Sequence, residues 1–483
     1  MANLAVKPAS FANLFDMSDI TTAQWWRPNR PERRLSGVIY NDAERGWVLR
    51  LAGTFQELPE GAPGQPVPVV PADDYPVLLG LTSQGKFLTL FDCRVVRSTF
   101  PGWPNPSMEI SPSIIVHDVH FHNQDDFRLT SLSIRYSNVD KWAATSGFSI
   151  PAPKSKPYSL SVQYTNPESI KATLPEGLTV GVDFTTTGPS LTIPQTDLNI
   201  SQRAWLTVAS VEAVAYSELL LTISMLSDLI TLGVGQPVRP LDVEATCNAR
   251  QDPDGEPTPT RFRIIHTAEP IAPIVPDVDI REMLFNLSHI RERFGDMVLT
   301  WFTQYEKLKP LYDLYFATVR SPKMYLEHQF LNMFQALESF DRRCYVHSPE
   351  KLKAHQERLD RILNGADTAD RKWLTRQLRH SHEPTAADRI LRLVQQVKAE
   401  WLFDDAKNDI QLAAALRNFH THFDADVEAR LPTKKDRLLS MYNLAVRLQI
   451  LCELILLTGI GFTVEEACQR VKATRRLEQN LVH

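Results

Sequence analysis

Cysteine is scarce, and no two cysteines are close in the chain. Five of them, Cys93, Cys247, Cys344, Cys452 and Cys468, are scattered over 483 positions. That spread argues against a disulfide framework and against a cysteine-based zinc site, and fits a reducing compartment. Long unbroken apolar runs are also missing. The most apolar stretch, 448–462, is interrupted by Gln449 and Glu453 and stops at Gly459 and Gly461, the pattern of a buried helix with a glycine end. The first thirty residues carry no charged-then-apolar signal pattern. A cytoplasmic location without a membrane partner is therefore expected. No glycine-rich phosphate loop and no paired-aspartate metal site is recognisable, which argues against a nucleotide-modifying enzyme. Neither a metal nor a cofactor is expected.

What is present divides in two. The length exceeds what one compact core accommodates, so two or three domains are expected. Residues 1–277 hold 21 basic against 29 acidic side chains, and the remainder holds 31 against 28. A polyanion would therefore prefer the C-terminal part, through local clusters rather than a bulk field.

The first part reads as strands. Trp25 and Trp26 ahead of Pro28 look like a pin holding a terminus to a core. Hairpins are expected over 37–55, with a turn at 41–46, and over 77–94, with a turn at 82–86. Period-two patterns recur at 158–164, 178–184 and 191–193. Many short strands with glycine and proline turns describe an antiparallel, sandwich-like or barrel-like domain over 1–247. Within it, 217–232 has helical spacing and is read as a cover for the sheet. His117, His120 and His122 lack an obvious fourth ligand and read as strand packers. Prolines crowd 248–277, which is read as an exposed linker around a last strand at 261–267. From 278 to 483 the period is helical, and an all-α bundle is expected, with long helices at 283–305, 308–318, 324–343 and 437–457. Ser348 and Thr385 are expected to cap further helices.

One stretch in that bundle combines unusual residue types: Leu416, Arg417, Asn418, Phe419, His420, Thr421, His422 and Phe423. At about 100° per residue, Leu412, Leu416, Phe419 and Phe423 fall on one stripe, as a core-facing helix requires. Asn418 and His422 share one flank and Arg417 and Thr421 a neighbouring one, close enough for the long guanidinium to be expected to converge with the imidazole. A guanidinium holds phosphate bidentately and stabilises charge growing on it, while an imidazole moves a proton near neutral pH. Spacing alone is not selective. Arg261 and His266, Arg342 and His347, Arg376 and His382, and Arg476 and His483 also fall five to seven apart. Only Arg417 has an asparagine directly behind it in the middle of a helix.

The segment Arg417, Asn418 and His422 resembles the arginine, polar residue and histidine signature of HEPN-domain ribonucleases. The two hairpins, Trp25 and Trp26, and the stretch from Asp140, Lys141 and Trp142 to Gly147 and Phe148 resemble the N-terminal domain of the ApeA family of anti-phage proteins. This resemblance implies a β-rich regulatory domain before a HEPN nuclease that cleaves host RNA, tRNA among the options, without metal in abortive infection. It implies Arg417 as phosphate clamp, His422 as general acid or base and Asn418 as orienting group, in a homodimer or assembly of dimers. It also implies a phage-derived trigger acting on the N-terminal domain. Glu338 is expected to pair with Arg417 or orient His422, and His420 to be supporting. Arg371, Lys372, Arg376 and Arg379, near His380 and His382, are expected to track an RNA backbone. Phe419 and Trp373 are assigned to core packing. The competing reading is a non-catalytic ligand-sensing or RNA-binding protein on a helical dimerisation scaffold.

Overall fold

The computed structural model describes residues 20–56, 74–99, 105–151, 161–188, 199–251, 257–267, 277–345, 349–379, 381–423 and 425–474. Six strands come first among the described residues: β1 (Ile20–Arg27), β2 (Arg30–Asp42), β3 (Gly46–Ala52), β4 (Tyr75–Thr82), β5 (Phe87–Ser98) and β6 (Ser107–Ser111). Because β6 pairs antiparallel with both β3 and β5, these six close into a barrel rather than forming one face of a sandwich. The β2–β3 turn forms because the Asp42 carboxylate accepts from the backbone N–H groups of Glu44 and Arg45, and Gly46 takes φ 71°. Trp25 fills the barrel interior, and a Cβ on Gly80 would lie 2.5 Å from its ring, so the glycine makes room for the indole. Trp26, the next residue along the strand, faces the other core.

The sheet continues past the barrel through β7 (Ile114–His117) and β8 (Arg128–Tyr136). After the four-residue helix α1 (Val139–Trp142) come a two-residue pair, β9 (Phe148–Ser149) and β10 (Gln163–Tyr164), and then β11 (Ile170–Thr173), β12 (Thr179–Thr187), β13 (Ser201–Ala215), β14 (Pro240–Gln251) and β15 (Pro257–His266). All but β9 and β10 belong to one antiparallel sheet of thirteen strands, ordered β11-β12-β13-β8-β14-β15-β7-β5-β4-β1-β2-β3-β6. The expected strands at 191–193 and the first part of 158–164 lie outside the described residues. Helix α2 (Tyr216–Val234) covers the sheet as expected. The linker reading of 248–277 is corrected in part: β15 sits inside the sheet between β14 and β7 and buries Phe262 and Ile264. Proline at its first residue, Pro257, leaves the strand free to pair beyond it.

The helical part comprises α3 (Leu287–Ile290), α4 (Phe294–Arg320), α5 (Leu326–Cys344), α6 (Pro349–Gly365), α7 (Thr368–Leu378), α8 (Ala386–Gln396), α9 (Ala406–His422), α10 (Ala425–Glu428), α11 (Lys434–Gly459) and α12 (Val464–Ala473). The two helices expected at 283–305 and 308–318 are one: α4 runs through Pro310, and the chain before it forms short turns. Thr385 and Asp388 form the expected capping box of α8, whereas Ser348 lies outside the described residues. Helices α2 and α11 are long and apolar enough to cross a membrane, but most of each apolar window is buried inside the fold.

The two parts share one core. Trp301 of α4 donates its indole N–H to the Met225 carbonyl of α2 at 2.8 Å, and Tyr305 donates to Asp228 at 3.1 Å. Gly233 in α2 closes the seam, since a Cβ there would lie 2.5 Å from Trp142 Nε1 and 3.0 Å from the Phe285 carbonyl. Buried side chains from β8, α2, α4, α5, α9 and α11 form one continuous cluster.

Candidate active site

Helix α9 begins where the Asp405 carboxylate accepts from the Lys407 and Asn408 backbone N–H groups. Its inward face is Ile410, Ala413, Leu416 and Phe419, all buried. Arg447 of α11 fastens the first turn by donating to Asp409 at 2.9 Å and to Asp404 at 2.7 Å. The core stripe ends at Phe419. Phe423, expected to continue it, is instead 72% exposed, because the helix stops at His422 and Phe423 turns out in a left-handed conformation with φ 52°.

Helix α5 lies against this end and brings Glu338, buried at 6% exposure, to Arg417. Arg417 Nη2 donates to Glu338 Oε2 at 3.1 Å, and Arg342 Nη2 donates to Oε1 of the same carboxylate at 2.9 Å. A carboxylate removed from water is tolerated because each oxygen has its own guanidinium. The Asn418 amide oxygen accepts from Arg417 Nη1 at 3.1 Å. Two of the five guanidinium N–H groups are thus engaged, and the side chain stays about one-third exposed. The remaining donors have no partner among the described residues and can meet an anion.

His422 is exposed on the last turn. No hydrogen bond or ion pair holds it among the described residues. Five positions along a helix turn it roughly 140° from Arg417, which is drawn to Glu338, so the two side chains of one copy diverge rather than converge as expected. His420 differs. It is half-buried beside Phe419, its Nε2 is buried without a hydrogen-bond partner among the described residues, and desolvation lowers its pKa. Glu327 nearby opposes that shift and Arg437 adds to it. Arg437 also lies 4.8 Å above the Phe419 ring and donates to Glu428, so its charge serves the packing of the motif helix. Phe419 is a core residue, as expected.

Arg371, Lys372 and Arg376 lie exposed on α7, with Arg379 just past its end. Trp373 between them is 55% exposed, not packed in a core. Neither α6 nor α7 contains a buried residue. His355 and His382 face each other with ring centroids 4.5 Å apart, while His380, His347, Arg476 and His483 lie outside the described residues. In the sheet part, His120 bonds the Gly80 carbonyl at 2.9 Å and packs on Trp26 and Phe87, a packing position. Among the described residues no group of three or more His, Cys, Asp or Glu is arranged to hold a metal ion.

The fold therefore defines a β-barrel and extended sheet fused to a helical bundle whose motif helix presents an anchored arginine. A family model described as ApeA N-terminal domain 1 matches residues 21–301, and one described as Apea-like HEPN matches residues 331–466. The chain belongs to the ApeA family. HEPN domains are usually ribonucleases, and this pair of domains points to a HEPN nuclease of anti-phage defence. No curated protein and no solved structure matches the chain.

Proposed function

We propose that this protein is a metal-independent endoribonuclease that cleaves host RNA, with tRNA a candidate substrate, during abortive infection in the cytoplasm. The observation that carries the reading is the anchored Arg417: Glu338 fixes it from behind and leaves donors pointing outward. Arg417 clamps the scissile phosphate and stabilises its developing charge. His422 takes the proton of the 2′-hydroxyl or gives one to the leaving 5′-oxygen, and Asn418 orients the guanidinium. The 2′-oxygen bonds to phosphorus as the bond to the 5′-oxygen breaks, which yields a 2′,3′-cyclic phosphate and a 5′-hydroxyl.

One copy offers a single arginine and a histidine that diverges from it, so the complete site forms where two motif helices face each other in a homodimer. The sheet part regulates this site in response to a phage-derived trigger, acting through the shared core. A trigger does so only by binding one state of the protein more tightly than the other.

The test is incubation of the purified full chain with total RNA in EDTA, followed by sequencing of the ends. Cleavage with cyclic-phosphate ends is expected. Arg417→Ala and His422→Ala should each reduce it by about a hundredfold or more with the fold intact. His422→Ala should leave the melting temperature unchanged, whereas Arg417→Ala should lower it, because the buried Glu338 carboxylate loses one of its two guanidiniums. His382→Ala should leave it intact. A dispensable His422 with an essential His382 would move the site to the α7 region, and binding without cleavage would favour a non-catalytic RNA-binding protein.

A further inference from the structure

A cleft of about 480 Å³ opens where the sheet part meets the helical part, and no residue of the motif helix lines it. Its floor is sheet, from β8 and β14, and α2 forms one wall. Tyr136, Leu220 and Val243 give it an apolar surface, while Arg239, His266 and Arg320 supply the charged or titratable groups.

These three groups are held in different ways. Arg320 is the last residue of α4 and pairs with Asp228 of α2, a buried carboxylate that also accepts from Tyr305. His266 ends β15 and is hydrogen-bonded to Tyr216 Oη, which fixes its ring against the cleft wall. Arg239 is half-buried in the turn before β14, and its backbone is tied to Ser137 on both sides. The Arg239 guanidinium has no hydrogen-bond or ion-pair partner among the described residues. A partly desolvated guanidinium on a fixed backbone is poised for an anion. Asp228 balances Arg320, so the cleft carries about one uncompensated positive charge. The volume falls within the range of pockets for small metabolites, with apolar walls and few convergent polar groups.

We propose that this cleft binds a phosphate-bearing small molecule with a planar apolar body, of the nucleotide class. The phosphate lies between Arg239 and Arg320, and the ring lies on Tyr136, Leu220 and Val243. Such a molecule touches β8, β14, α2 and the end of α4 together, so it bridges the two parts of the chain. The site is separate from the proposed nuclease site, and its occupancy does not depend on whether RNA is cleaved.

The experiment is calorimetric titration of the full chain with ADP, adenosine and inorganic phosphate, beside the variants Arg239→Ala, Arg320→Lys and Arg417→Ala. The expected result is saturable binding of ADP, with adenosine and phosphate each weaker. Arg239→Ala should weaken ADP by about tenfold or more, the usual cost of one charge-assisted contact. Arg320→Lys, which keeps a cation beside Asp228 but loses the planar fork, should weaken it by a smaller factor. Arg417→Ala should leave it unchanged. No ADP binding at millimolar concentration overturns the proposal, as does ADP binding that persists in Arg239→Ala. Loss of binding in Arg417→Ala would assign the ligand to the motif helix and equally overturn it.

Discussion

The helical part is attached to the rest of the molecule, and to its own hairpin, in opposite ways. At the seam between α2 and α4, Trp301, Tyr305 and Trp142 are held by hydrogen bonds, by ring contacts and by a glycine that lets the surfaces touch. In the α6–α7 hairpin nothing is buried, and Leu352, Ile362 and Trp373 stand exposed beside basic residues. The seam packs α2 against α4, and α4 in turn packs against α5, which carries Glu338. The hairpin makes no such packed contact, and its charges stand in solvent. Fixed charge suits chemistry and regulation, whereas solvated charge suits salt-sensitive capture.

The largest expected effect breaks this comparison at the seam. A fragment of residues 278–483 would expose Trp301, Tyr312 and Phe285, side chains whose burial is each worth about 1.5–3 kcal/mol. It should aggregate or lack a cooperative melt. Replacing 349–379 by a short glycine-serine link should shift the melting temperature of the full chain by only a few degrees. Calorimetry on both proteins decides the matter, and a soluble, cooperatively folding 278–483 fragment would show that the shared core is dispensable.

A middle-sized effect sits at Glu338. Glu338→Ala leaves two guanidiniums facing a cavity and should cost about 2 kcal/mol of stability. It should also lower RNA cleavage, because Arg417 loses its anchor. Glu338→Gln keeps the shape and one acceptor, so it should restore most of the stability but only part of the activity. Equal activity in both variants and in the parent chain would mean that the anchored state of Arg417 is irrelevant.

How much of this was legible in the chain follows from range. The β-hairpins, the α2 cover and the α8 capping box come from contacts a few residues apart, and period and turn chemistry give them away. The motif helix was visible through Leu416 and Phe419, but its end was not: Phe423 keeps the helical period, and only the left-handed residue at the helix terminus turns it outward. The closed barrel depends on β6, which pairs with its neighbour β5, also meeting β3 far back in the chain, which no local pattern encodes. Likewise Arg447 reaching Asp404 and Asp409, and Trp301 reaching Met225, join residues far apart in the chain. The prolines in 248–277 suggested a linker because strand pairing of β15 is supplied by partners elsewhere. The Glu338–Arg417 pair could be anticipated only through family resemblance, since 79 residues separate its members.

The smallest effect expected belongs to the hairpin. Arg371, Lys372, Arg376 and Arg379 are all exposed, and none has a buried carboxylate behind it, so each pays little to leave water and gains mainly by releasing counterions from a phosphate backbone. Changing all four to alanine should leave the melting temperature and the cleavage rate at saturating RNA unchanged. It should weaken RNA binding and flatten its dependence on salt, by up to about three in the slope of log K against log salt for a single strand if every one contacts a phosphate. The measurement is RNA affinity by fluorescence anisotropy from low to high salt, using the His422→Ala chain so that little substrate is consumed. An unchanged slope would mean that these charges only face solvent, and the capture role would then have to lie on the packed side of the molecule, with Arg417 itself.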